Sequence, residues 1–195
     1  GLFFIKQMAI LQSEGIKVYM VAGNHDANNK MTKKLRMPEN VHMFSSKKPE
    51  TFQIDELESA IHGQSFATVS TSKNLATGYP TPINNYFNVG LLHTSVDGRE
   101  GHADYSPCTL DHLINKGYDY WALGHIHKRE VLNEEPMIVF PGNTQGRHAK
   151  ETGQKGCTLV TVKDRNVESA KHHCLDVLRW HSCEIDVSGV ENTEE

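Results

Sequence analysis

The chain has 195 residues, of which 37% are hydrophobic and 23% charged, enough for one sizeable core and ordinary for a globular domain. A formal charge of -4 and a pI near 6.3 exclude a globally basic surface, so any nucleic-acid contact must come from a local cluster of Lys and Arg. No apolar run approaches the roughly 18 to 20 residues that span a bilayer, and no signal-peptide order opens the chain, which leaves a membrane role without support.

Four cysteines, Cys108, Cys157, Cys174 and Cys183, show no CxxC spacing and read as reduced, core-filling thiols of a cytoplasmic protein, with no zinc site. The high count is that of His, 12 in all. His62, His172, His173 and His181 sit among polar neighbours and read as bystanders. The informative ones are those that end apolar strands, because a sheet can bring strand ends to one place.

In chain order, Leu2 to Leu11 is apolar at helical spacing, and Gly15 is the expected carboxyl-terminal cap. No capping residue precedes this helix, so the chain reads as beginning inside one. A β-branched, apolar strand over Lys17 to Ala22 then delivers Gly23-Asn24-His25-Asp26 to the loop at its carboxyl end, where open α/β sheets place ligand sites. Asn28 or Asn29 can cap a short helix through Met37, stopped by Pro38. Short strands are expected at Val41 to Phe44, Thr51 to Ile54 and Ser59 to Ile61. Lys33, Lys34, Arg36, Lys47 and Lys48 form a modest basic cluster whose simplest reading is a solvated face.

Gln64 to Asn85, rich in Ser, Thr, Asn, Gly and Pro, reads as a long connection with a helical turn near Leu75. Tyr86 to Thr94 is a second buried strand that ends in His93. Gly98 to Pro107 is loop-like; it carries His102, Asp104 and Tyr105, which either line a substrate groove or belong to a plain loop. Thr109 or Ser106 caps a helix through Asn115 that ends at Gly117. The third strand, Tyr118 to Leu123, places Trp121 in the core and runs into Gly124-His125-Ile126-His127. The remainder is β-rich: strands at Glu130 to Leu132, Met137 to Phe140, Thr158 to Val162 and Arg179 to Val187, with the loop Pro141 to His148 among them. Residues 1–187 form one domain, and 188–195 an acidic tail.

Three strands thus end in polar or imidazole side chains. On extended backbone His125 and His127 point to one side, and in a tight turn they diverge toward two ions. Neutral imidazole suits borderline divalent metals, and the Asn24 amide oxygen suits harder ones such as manganese. Arg147 and His148, after Gly142 and Gly146, can reach a substrate phosphate through bidentate donors, or can belong to an ordinary turn.

The order Gly23-Asn24-His25-Asp26, His93, Gly124-His125-Ile126-His127 resembles the calcineurin-like metallophosphoesterases, whose pattern runs DxH, GD, GNH(D/E), H, GHxH. Val18 to Asp26, Trp121 to His127 and Pro141 to His148 look most like the SbcD-type DNA repair exonucleases and their bacterial relatives. The resemblance implies a metallophosphoesterase-like β-sandwich flanked by helices, and two divalent ions, manganese favoured. It implies that Asn24, His93 and His125 ligate one ion and His127 the other, while His25, oriented by Asp26, protonates the leaving oxygen. DNA, an ATPase subunit of the SbcC type docking beyond Glu195, and a second copy of the chain are the partners it implies.

The pattern is incomplete. No Asp or His precedes Asn24, so the DxH and GD blocks and the bridging Asp are missing from the chain as it stands. The expectation is an N-terminally incomplete domain with an unpaired sheet edge, inactive or nearly so by itself. A phosphatase or small-molecule phosphodiesterase of the same superfamily, or a non-catalytic binding remnant, are the alternatives.

Overall fold

The computed structural model describes residues 1–26, 36–96 and 105–189. The expected helix after Asn28 and the residues Lys33, Lys34, His102 and Asp104 lie wholly or largely outside them, as does most of the acidic tail. The elements run α1 (Leu2–Ser13), β1 (Val18–Met20), β2 (Val41–Met43), β3 (Glu50–Ile54), β4 (Ser59–Gly63), β5 (Phe87–His93), α2 (Leu110–Ile114), β6 (Tyr120–Gly124), β7 (Glu130–Asn133), β8 (Met137–Phe140), β9 (Gly156–Lys163) and β10 (Asn166–Cys174). This is the expected mixed α/β class, with few helices. No helix among the described residues is long and apolar enough to cross a membrane.

The centre is a six-stranded sheet in the order β3-β4-β5-β6-β8-β7. Strands β4, β5, β6 and β8 run parallel, and β3 and β7 close the edges antiparallel. Alternation along β6 sends Trp121 and Leu123 to one face and Tyr120 and Ala122 to the other. On the first face they join Leu92, Leu113, Ile138 and Phe140; on the second, Val139, Val160 and Val167 from the β9–β10 hairpin. Trp121 is fully buried and donates from its indole N–H to the Leu113 carbonyl at 3.1 Å, so it is the core residue the sequence predicts. The long connection is part of this core, since it buries Phe66, Leu75, Ala76 and Tyr79.

A separate parallel pair, β1 and β2, carries the Gly-Asn-His-Asp turn. Ser65, just past β4, clasps this pair to the central sheet: its hydroxyl accepts from the Ala22 N–H at 3.0 Å and donates to the Phe44 carbonyl at 2.6 Å. The Phe66 N–H donates to the Ala22 carbonyl at 2.8 Å. Among the described residues β1 has one strand partner, and α1 buries none of its side chains, with Leu2, Phe3 and Ile10 exposed. Gly15, at φ +70°, ends α1 as expected, with the Ile16 and Gly15 N–H groups bonded back to Leu11 and Gln12.

Three expectations are corrected. Arg179 to Val187 is not a strand: beyond one bridge from Thr152 to Trp180 it pairs with no strand among the described residues, and the Gln145 side chain accepts from the Val177 and Leu178 N–H groups just before it. A strand the sequence reading did not place, β10, pairs with β9, joined to it by Asp164-Arg165, both at positive φ. That is the two-residue hairpin geometry usually marked by Asn-Gly, and here the marker is absent. Third, only Cys108 fills the core; Cys174 and Cys183 are exposed.

Candidate active site

Register decides which side chains meet. In the parallel β5–β6 pair, His93 lies opposite Gly124, so His125 emerges one residue beyond His93 at the same sheet end. The Thr94 N–H donates to the Gly124 carbonyl at 3.2 Å and holds the two ends together. From the other side the Ser65 clasp delivers the turn that follows β1. Asn24 is buried, and its Oδ1 lies 2.9 Å from His93 Nε2. Asn24, His25, His93, His125, His127 and Asn143 line one cleft of about 470 Å³ at the carboxyl ends of the parallel strands. The structure thus brings five of the six motif residues, Asn24, His25, His93, His125 and His127, to one cleft, whereas Asp26 does not line it.

Packing fixes the rings. His93 stands edge-on to Phe66 and to His125, with centroids 5.2 Å apart in each case, and His125 has Tyr105 as its other neighbour at 5.2 Å. Gly23 is required for close approach: a Cβ there would lie 2.4 Å from His93 Nδ1. His125 has φ +105°, a sparsely populated conformation for a non-glycine residue, which costs on the order of 1–3 kcal/mol and persists where surrounding structure enforces it. His127 meets the 141–151 loop through Glu151, whereas His125 packs against His93 and Tyr105.

Burial, together with the charges on His125, His25 and His127, pushes the His93 pKa down to about 4, so its imidazole is neutral at physiological pH. His25 lines the cleft and is exposed, and Asp26 beside it in the turn is exposed as well. The hydrogen bond the structure gives Asp26 runs from the Gly23 N–H to Oδ2 at 3.3 Å and closes the turn on itself.

Sequence reasoning missed Glu151. Its Oε1 lies 2.6 Å from His127 Nδ1, and its Oε2 accepts from the Arg147 N–H at 2.8 Å and the Asn143 amide at 3.2 Å. Burial opposes its ionisation, but these donors outweigh burial and hold the carboxyl at about 2. It lies 24 positions from His127, so no local spacing could have linked them. Arg147 and His148 are exposed on the same loop, beyond the cleft lining, with His148 Nε2 3.6 Å from Glu151 Oε1.

Among the described residues no three His, Cys, Asp or Glu groups converge on a ready-made cation cage. The donor set is of another kind, because it includes an amide oxygen. Donors about 2.1 Å from a common ion at a right angle lie about 3 Å apart, and Asn24 Oδ1 and His93 Nε2 meet that separation. Neutral imidazoles and one amide oxygen suit a borderline or moderately hard divalent ion. Asn24, His93 and the adjoining His125 could therefore hold one such ion.

The site and fold agree with two comparisons. Residues 2–129 match the family model for calcineurin-like phosphoesterases, and the chain belongs to that family. It is 42% identical over 195 residues, 98% of its length, to a Bacillus subtilis protein designated uncharacterized metallophosphoesterase YhaO, of which it covers 48%. It is 21% identical over 160 residues, 72% of its length, to the Methanopyrus kandleri DNA double-strand break repair protein Mre11, of which it covers 35%. The chain therefore spans about half or less of these relatives.

Proposed function

We propose that the protein containing this chain is a metal-dependent phosphodiesterase acting on DNA, an exonuclease of the repair type. The observation that carries the reading is the strand-end cluster, in which Asn24 and His93 meet at 2.9 Å beside His125 and below an exposed His25. Asn24, His93 and His125 are assigned to one divalent ion and His127 to a second, with manganese favoured by the amide oxygen. When bound, such ions polarise the phosphoryl group and lower the pKa of a water toward neutrality.

The chain's own residues do the rest. Burial keeps His93 neutral, and its Nε2, whose proton meets Asn24 Oδ1, would offer a lone pair to an ion once that proton moves to Nδ1. His25, exposed and lining the cleft, holds the proton that the leaving oxygen takes, and Asp26 braces its turn. Arg147 and His148, exposed on the neighbouring loop, are assigned to the substrate phosphates. DNA as substrate is favoured by the named role of the Methanopyrus kandleri relative and by the SbcD-like motifs. We assign hydrolysis to the whole protein, with residues 1–187 as its phosphoesterase domain, a cytoplasmic location, and an ATPase subunit and a second copy as partners.

The test compares the full-length protein on linear duplex DNA and on a small chromogenic phosphodiester, with and without Mn²⁺. Mn²⁺-dependent release of nucleotides from DNA ends is the expected result. Turnover of the small diester without attack on DNA would move the assignment to a small-molecule phosphodiesterase, and no turnover of either would leave a binding remnant.

A further inference from the structure

His127 carries a constraint that the shared motifs do not contain. A carboxylate accepts and cannot donate, so the 2.6 Å contact from His127 Nδ1 to Glu151 Oε1 places the ring proton on Nδ1 and leaves the Nε2 lone pair free. Three further features separate this contact from a surface ion pair, which is typically worth little. The Glu151 side chain is only 10% exposed. Its second oxygen is held by the Arg147 N–H and the Asn143 amide, so the carboxylate has no freedom to swing. The loop that bears it is stapled to the backbone of His127 itself: the Asn143 N–H donates to the His127 carbonyl at 3.1 Å, and the Gly156 N–H to the Asn143 carbonyl at 2.9 Å. Gly142, at φ +77°, allows this approach, since a Cβ there would lie 2.9 Å from the His127 carbonyl oxygen and 2.8 Å from the Arg129 nitrogen.

We infer that Glu151 is a positioning residue for metal binding, fixing the tautomer and direction of His127 so that Nε2 is presented as a ligand. The inference rests on the reading of His127 as a metal ligand. Carboxylate partners of this kind orient ligating imidazoles and raise their basicity, and their loss typically weakens metal affinity by roughly 10- to 100-fold. The 141–151 loop is then a clamp on one metal ligand as well as a carrier of Arg147 and His148.

The experiment titrates Mn²⁺ by calorimetry into the metal-stripped full-length protein and its Glu151→Ala, Glu151→Gln, His127→Ala and Glu151→Ala/His127→Ala variants. The expected result is a loss of about 10- to 100-fold for Glu151→Ala. Partial recovery is expected in Glu151→Gln, which keeps an acceptor oxygen, and no further loss in the double variant over His127→Ala. Affinity unchanged in Glu151→Ala while His127→Ala weakens binding would overturn the inference, as would additive losses. Absence of Mn²⁺ binding by the parent, or no effect of His127→Ala, would instead sink the ligand reading. Should Glu151→Ala fail to fold, the nitrogen-15 spectrum of histidine in the metal-stripped parent decides the point. A proton on Nδ1 of His127 supports the positioning role, and one on Nε2 refutes it.

Discussion

A fully buried and a half-buried imidazole on neighbouring strands have opposite uses. His62, next to last in β4 but in register with Gly90 at the middle of β5, is fully buried and has both ring nitrogens committed: Nδ1 to the Thr51 hydroxyl at 2.8 Å, Nε2 to Asn88 Oδ1 at 3.0 Å. Its face stacks on Tyr118 at 4.3 Å. His93, the last residue of β5, meets a potential co-ligand in Asn24 and opens onto a cleft. Burial lowers the pKa of both rings, so a neutral, desolvated histidine does not by itself mark a site. Position along the strand does: an interior register place encloses the ring within the sheet, and a carboxyl end presents it.

The comparison breaks most sharply under ligand removal. His93→Asn or His125→Ala in the full-length protein should remove several kcal/mol of charge stabilisation, on the order of a 10³-fold loss in Mn²⁺-dependent turnover, with the melting temperature in chelator little changed. Wild-type turnover by either variant would show that the reactive ion sits elsewhere. His62→Ala should do the reverse. Emptying a fully buried, twice-bonded ring costs about 2–4 kcal/mol in urea unfolding, with unchanged Mn²⁺ affinity in the protein that remains folded. Weakened metal binding there would join the two regions that the geometry separates.

Why the sequence distinguishes some of this and not the rest follows from the range of each signal. Val18 to Met20, Phe87 to His93 and Tyr120 to Gly124 are short apolar runs that stop at polar residues, so strand ends and their imidazoles can be read locally. The His62 network spans Thr51, Asn88 and Tyr118, residues far apart in sequence, so nothing local marks a ring that is 0% exposed. Glu151 is invisible for the same reason, since what matters is a loop folded back on His127 through Asn143. The β10 strand was missed because its turn uses Asp164-Arg165 in place of the usual residues and its side chains are mostly polar.

Two glycines give a smaller, paired test. A Cβ at Gly90 would lie 2.3 Å from the Trp121 ring in the β5–β6 core, whereas one at Gly23 would meet His93 at the cleft. Gly90→Ala should cost about 1–3 kcal/mol of stability and spare Mn²⁺ affinity. Gly23→Ala should displace the His93 ring and weaken Mn²⁺ binding with less effect on unfolding. Equal effects on both readouts would mean that strand end and strand middle are one mechanical unit.

The smallest effect is in pH. His62 is held neutral because burial lowers its pKa from 6.5, with Lys116 adding to the fall and Asn88 opposing it. In the unfolded chain the ring protonates near 6.5, so between there and its lower folded pKa the unfolded state binds more protons, and stability declines as pH falls. His93, at about 4 when folded, acts in the same direction. His62→Gln retains a donor and an acceptor for Asn88 and Thr51 but does not titrate. Its unfolding free energy, measured in chelator from pH 7 downward, should fall less steeply than that of the parent while keeping the slope due to His93. Identical slopes would mean that His62 is as easily protonated in the folded protein as in the unfolded one, and that its enclosure in the sheet is looser than the Thr51, Asn88 and Tyr118 contacts require.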